Sequence, residues 1–158
     1  MKQKTLTLKQ LYKVGTVKLA EEGIEEFSLD AWYLLEHIYG ISRVDFLMRR
    51  SDSFDVAQME KSTAYQALIR QRSGGFPVQY LTGSTEFMGL PFLVNEHVLI
   101  PRQDTETLVE KALEVMKGKK TPGILDMCTG SGCILLSLLA LTGDAYGVGA
   151  DVSPLALQ

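Results

Sequence analysis

Only two cysteines and two histidines occur among these 158 residues, and neither pair has a spacing that builds a site. Cys128 and Cys133 stand as C-x4-C, which supports neither a disulfide framework nor a zinc centre. They are expected as small buried residues in a reducing cytoplasm rather than as redox partners. His37 lies in an apolar helical pattern and His97 in a polar stretch, neither with a companion at ligand spacing, so no metal is expected. Long apolar runs are missing as well. The longest, Cys133 to Leu141, carries a serine inside it and reaches about half of a bilayer crossing. The start, MKQKTLTLKQ, is basic with no apolar core behind it, so no signal peptide is read. Sixteen Lys and Arg against nineteen Asp and Glu give a net charge of -3. That leaves no overall pull toward nucleic acid, and direct binding to it is not expected. What is present is apolar enough, at 46% hydrophobic and 22% charged, to exclude disorder over the whole length. The length suits one ordinary domain, or a small one plus part of another.

Residues 1–75 repeat one theme of polar cap, helical apolar spacing and closing glycine. Thr7, with Gln10 three later, opens Leu8, Leu11, Val14 and Leu19, and Gly23 follows. Ser28 opens Leu29, Trp32, Tyr33, Leu35, Ile38 and Tyr39, closed by Gly40. Ser42 with Asp45 starts a short helix, and Asp55 with Gln58 a long one that stops at Gly74-Gly75. Spacings of three and four with short links predict an all-α helical bundle. Trp32, Tyr33 and Tyr39 are expected in its core, and Arg49, Arg50, Arg70 and Arg72 on a solvated face.

Residues 76–101 read as a linker. GFPVQYLTG allows one helical turn at most, and Glu86–Met88 and Phe92–Val94, about a Gly-Leu-Pro break, predict a β-hairpin. From 102 the pattern turns to α/β. Asp104 is expected as N-cap of a helix over 105–117. ILDMC (124–128) reads as a strand, Cys133 to Leu141 as a buried helix, and AYGVGAD (145–151) as a second strand parallel to the first. Ser153-Pro154 reads as a further helix start. Two strands do not finish such a domain, so a longer parent protein is expected. The open apolar edge of ILDMC predicts self-association at residues 122–151.

The chemistry lies in DMCTGSGC, with Asp151 following Gly130 by 21 residues. Glycines between a strand and a helix let a ligand approach the backbone, where the first helical N–H groups lack partners. A carboxylate at the tip of the next strand can accept from both hydroxyls of a ribose, which argues for a cofactor containing adenosine. A dinucleotide fingerprint fails, because Leu135 stands three residues after Gly132, and a phosphate loop fails for want of a lysine. The remaining pattern, acid-x-x-x-G-x-G, is that of S-adenosylmethionine methyltransferases.

Along nearly its whole length the chain resembles the HemK-type release-factor glutamine N5-methyltransferases. The stretches that carry the likeness are GFPVQYLTG, EF-x-G-x-x-F-x-V (Glu86 to Val94), VLIPRQDTETLVE (98–110), ILDMCTGSGC and DVSP. The resemblance implies a helical substrate-recognition domain, a hairpin, and a Rossmann-like methyltransferase domain that is truncated here. It implies S-adenosylmethionine as cofactor, bound by Cys128, Thr129, Gly130, Ser131, Gly132 and Asp151, with Pro101–Glu106 flanking the pocket. It implies peptide-chain release factors as protein partners, methylated on a glutamine amide nitrogen. Cys128 stands where the family has glycine, and Gln103 where it has proline. The family's Asn-Pro-Pro-Tyr motif does not occur in these residues, so no catalytic residue is expected in this chain. Two other readings stay open at this point: a methyltransferase acting on nucleic-acid adenine, and a helical protein-binding module without catalysis.

Overall fold

The computed structural model describes residues 7–52 and 56–157. It divides into two compact units, Met1–Thr82 and Gly83–Gln158.

The first unit is helical: α1 (Leu8–Glu21), α2 (Phe27–Tyr39), α3 (Arg43–Arg49), α4 (Val56–Ser73) and α5 (Val78–Thr82). Its helix ends follow local chemistry. The Thr7 hydroxyl accepts from the Gln10 amide while the Thr7 amide donates to Gln10 Oε1, so two otherwise orphaned donors are satisfied. Ser42 and Asp45 make the same reciprocal pair at α3. Its two hydrogen bonds from Ser42 hold the Asp45 carboxyl below the usual carboxylate range. Gly40 ends α2 in the left-handed region at φ 63°, where a Cβ is disfavoured. The predicted Asp55–Gln58 cap lies outside the described residues.

Ser28 is not a cap. Helix α2 begins earlier, at Phe27, with Glu26 before it and no side-chain cap. Ser28 instead meets the Tyr12 hydroxyl, which lies 2.8 Å from Ser28 Oγ and donates to its carbonyl, joining α1 to α2. Leu11, Leu19, Leu34, Leu35 and Tyr65 form the centre of the bundle. Trp32 packs edge-on against Phe46 and carries the Arg43 guanidinium over its outer face at 4.1 Å. Tyr33, expected in this core, is exposed, because it sits on the outer face of α2. Arg72, expected on a solvated face, turns inward to the Asp30 carboxylate at 2.6 Å.

The second unit holds β1 (Ser84–Phe87), β2 (Leu90–Leu93), α6 (Gln103–Met116), β3 (Gly123–Met127), α7 (Cys133–Thr142) and β4 (Tyr146–Ala150). β1 and β2 pair antiparallel, with Phe87 opposite Leu90. The two-residue turn between them, Met88-Gly89, takes positive φ at both positions, the twist a tight hairpin requires. Met88 is held there by its amide, which donates to Glu106 Oε1 of α6 at 2.7 Å. Phe87 and Phe92 leave the hairpin on one face and form a core with Val109, Cys133 and Leu138. The predicted linker is thus shared between the units: α5 packs on α2, and the hairpin joins α6 and α7 in one core.

Helix α6 starts at Gln103 after Arg102, so Asp104 lies inside the first turn and is not the cap. Its charge still suits the positive end of the helix dipole. β3 and β4 are parallel, with Gly123 opposite Tyr146 and Met127 opposite Ala150. Gly147 allows α7 to lie close on the sheet, since a Cβ there would stand 2.5 Å from Leu135 Cδ1. Helix α7 is only partly buried. Leu136 and Leu141 face outward, and the sheet leaves Leu125, Met127, Tyr146 and Val148 exposed. The segment from Ser153 forms a turn and not a helix among the described residues.

Ser137 is fully buried on α7 and its hydroxyl has no hydrogen-bond partner among the described residues. Ser137→Ala is therefore expected to raise stability by about 1 kcal/mol, because the mutation removes an unsatisfied buried donor. Urea unfolding followed by circular dichroism measures it.

Candidate functional site

The strand-to-helix turn Cys128–Gly132 sits at the C-terminal ends of β3 and β4, and its backbone is bent by three residues with positive φ. They are Cys128 at 63°, Gly130 at 55° and Gly132 at 75°. At Gly130 an added Cβ would meet no atom within 4 Å. The conformation there favours glycine, and the space beside it is open. Cys128, expected to be buried, is exposed, because strand β3 ends at Met127 and the chain turns outward in the left-handed region. Cys133 at the start of α7 is buried, and that burial pushes its thiol pKa up, which keeps it protonated.

Three amides of the turn are already used within the fold. Thr129 N donates to the Ala150 carbonyl at 3.0 Å and Gly132 N to the Thr129 carbonyl at 2.8 Å. Gly130 N donates to Asp151 Oδ2 at 2.9 Å, and Ser153 N donates to Asp151 Oδ1 at 2.9 Å. The structure thus brings the glycine turn and the downstream acid into direct contact, one residue beyond the end of β4. These amides, Ser153 first and then Gly130, hold the Asp151 carboxyl below the usual carboxylate range. Each carboxylate oxygen keeps a further lone pair for a ligand hydroxyl.

Ser131 Oγ is buried and makes no hydrogen bond of ordinary geometry among the described residues, although it stands near enough to the Cys133 thiol to oppose part of the upward shift of that thiol. Ser131 also lines a cleft of about 540 Å³, walled otherwise by β2, Leu136, Ala140 and Leu155 and largely apolar. Cys128, Thr129, Gly130, Gly132 and Asp151 do not line that cleft. Neither does Pro101–Glu106, whose Glu106 is bonded to the hairpin turn. Two residues that matter here received no role from the sequence. Asp126 accepts from the Thr129 hydroxyl at 2.7 Å. Gly149 lies under Thr129, with an ideal Cβ only 3.0 Å from Thr129 Oγ1. The acid of acid-x-x-x-G-x-G was a visible signal for Asp126, whereas Gly149 looked like any small strand residue. Among the described residues, no three His, Cys, Asp or Glu side chains gather as metal ligands, and no helix is long and apolar enough to cross a membrane.

Fold and site together define a chain with a helical first unit and a parallel strand–helix–strand unit, whose glycine turn is closed by an acid. Residues 10–83 match the family described as the PrmC N-terminal domain. Over nearly all of its length the chain is 36% identical to the release factor glutamine methyltransferase of Chlorobaculum tepidum, covering 99% of this chain and 54% of that protein. It is 40% identical to the enzyme of the same name from Moorella thermoacetica, over 96% of this chain and 53% of the relative. For the one from Burkholderia pseudomallei the identity is 42% over 75% of this chain and 40% of the relative. The chain is a relative of the release factor glutamine methyltransferase family, and it spans about half the length of the curated relatives it matches.

Proposed function

We propose that this chain forms the helical recognition part and the cofactor-binding beginning of a protein-glutamine methyltransferase. Residues 1–75 serve substrate recognition, 76–101 connect, and 102–158 begin a Rossmann-like domain. The protein substrate is a peptide-chain release factor, and the cofactor is S-adenosylmethionine. When bound, the cofactor supplies an electrophilic methyl group on a sulfonium. The observation that carries the reading is the contact between Gly130 N and Asp151 Oδ2 at the strand ends. It puts an ionised acceptor beside open backbone, where both hydroxyls of a ribose could donate to it.

The residues fit such a donor molecule. The helix start at Cys133 offers amides to the carboxylate of its amino-acid end, and the Ser131 hydroxyl, buried beside Cys133, could turn toward it. Gly130 leaves room for that approach, and Asp151 holds the sugar. Cys128 and Gly132 shape the turn. An amide nitrogen is a weak nucleophile, and its orientation needs acceptors of the Asn-Pro-Pro-Tyr kind. These 158 residues therefore bind and orient the donor without completing catalysis.

Equilibrium dialysis with labelled S-adenosylmethionine tests the site. Saturable binding is expected, and Asp151→Ala should weaken it by about tenfold or more. A wild-type chain that binds no donor at millimolar concentration would refute the site. Because the Asp151 pKa is depressed, its bonds to Gly130 and Ser153 are fully present above the ordinary carboxylate value and are lost as pH falls through the lowered one. A carbon NMR titration should place the Asp151 midpoint below 3.8. For the acceptor, methyl transfer by the chain extended to the length of its relatives is expected on release factor and not on DNA.

A further inference from the structure

We infer that Thr129 and Asp126 are positioning residues, a bolt that locks the glycine turn onto β4, and that Thr129 does not contact the ligand. The functional consequence rests on the donor-binding reading above; the bolt itself does not.

Both donors of Thr129, its hydroxyl and its amide, are already used inside the fold. Its hydroxyl donates to Asp126 Oδ2 at 2.7 Å, a length typical of a bond to an ionised acceptor. Its amide donates to Ala150 and its carbonyl accepts from Gly132. The register of the sheet explains why these partners meet. Asp126 on β3 stands directly opposite Gly149 on β4. The Thr129 side chain sits over that pair, with Oγ1, Cγ2 and Cβ lying 3.0, 3.1 and 3.2 Å from where a Gly149 Cβ would be. Gly149 does not have a positive φ. Its lack of a side chain therefore serves space, and the space is filled by threonine. One side chain thereby ties the last residues of both parallel strands to the start of the turn. It fixes where the Gly130 amide and the buried Ser131 hydroxyl stand.

The division of labour follows. Ser131 offers the hydroxyl left for a ligand, and Thr129 holds it in place. Two readouts separate the roles. Amide hydrogen exchange at Gly130–Cys133, measured without any ligand, should speed up by about tenfold in Thr129→Val and Asp126→Asn, since each removes the charge-assisted bond while keeping shape. Gly149→Ala should speed it as well, and adding Thr129→Ser should restore part of the protection by making room for the new methyl group. Affinity for S-adenosylmethionine should fall in the same order as protection is lost. If Thr129→Val lowers donor affinity while exchange in the free protein stays at the wild-type rate, Thr129 is a ligand contact and the bolt is wrong. Unchanged exchange in all of these variants overturns it as well. Should the wild-type chain bind no donor, the functional reading fails, yet exchange and the Gly149–Thr129 pair still decide the bolt.

Discussion

Replacing Arg72 with methionine is expected to lower the stability of the helical unit by about 3 kcal/mol. Asp30, in the first turn of α2, is 4% exposed. Arg72, in the last turn of α4, donates from Nε to Asp30 Oδ2 across 42 residues of sequence. Without the guanidinium, the Asp30 carboxylate is left inside an apolar bundle with neither water nor a cation. That loss, and not the strength of the pair itself, sets the size of the effect. Removing both charges together, as Asp30→Leu with Arg72→Met, should recover most of the stability, because a well-packed apolar pair needs no desolvation. Trp32 is the single tryptophan of the chain and is buried in this unit. Its fluorescence during urea unfolding reports the unit selectively. A single mutant within about 0.5 kcal/mol of wild type would show the ion pair to be solvated.

Gly15→Val is expected to destabilise the same unit by a similar amount, about 3 kcal/mol. A Cβ at Gly15 on α1 would stand 2.0 Å from Tyr65 Oη and 3.0 Å from Ile69 Cδ1 on α4. The tyrosine cannot simply swing aside. It is fully buried, and its hydroxyl donates to the Ala31 carbonyl on α2 at 3.2 Å. Making room separates α1 from α4 or breaks that bond, leaving the buried Tyr65 hydroxyl without its acceptor. Helix propensity works the other way, favouring alanine over glycine by about 1 kcal/mol. Gly15→Ala is therefore the milder change. In a Tyr65→Phe background, which removes the nearest atom, it should be milder still, and this non-additivity marks the contact as direct. Additive single mutants would place the strain elsewhere.

Both effects come from residues to which the sequence reading gave other roles or none. Arg72 was one of several arginines near a helix end, and its pattern matched a solvated face. Gly15 interrupts an apolar helix stripe with nothing to show that a tyrosine fifty residues on fills the gap. The expected caps divided along the same line. Thr7–Gln10 and Ser42–Asp45 were legible because a capping box closes within four residues. Ser28 and Asp104 have the right residue type in the wrong place. Packing of Tyr12 against Ser28 and the start of α6 at Gln103 decided their roles. In the second unit the hairpin, the parallel strand–helix–strand order and the place of Asp151 at a strand tip could be read in advance, whereas the bond from Gly130 N to Asp151 could not. Glycine spacing and an acid at a strand tip leave few alternatives there.

The amino-acid order by itself determined most of the helices and strands, the segment from Ser153 excepted, where the turn with exposed main chain lies, and which acid stands at the neighbouring strand tip. Each of these depends on interactions within a few residues, or on the fixed geometry of two parallel strands. Only the tertiary structure decided which distant polar groups meet: Asp30 with Arg72, Gly15 with Tyr65, and Thr129 with Asp126 over Gly149. Such pairings depend on how closely helices approach and on strand register, distances that arise when apolar faces pack and that no local pattern encodes.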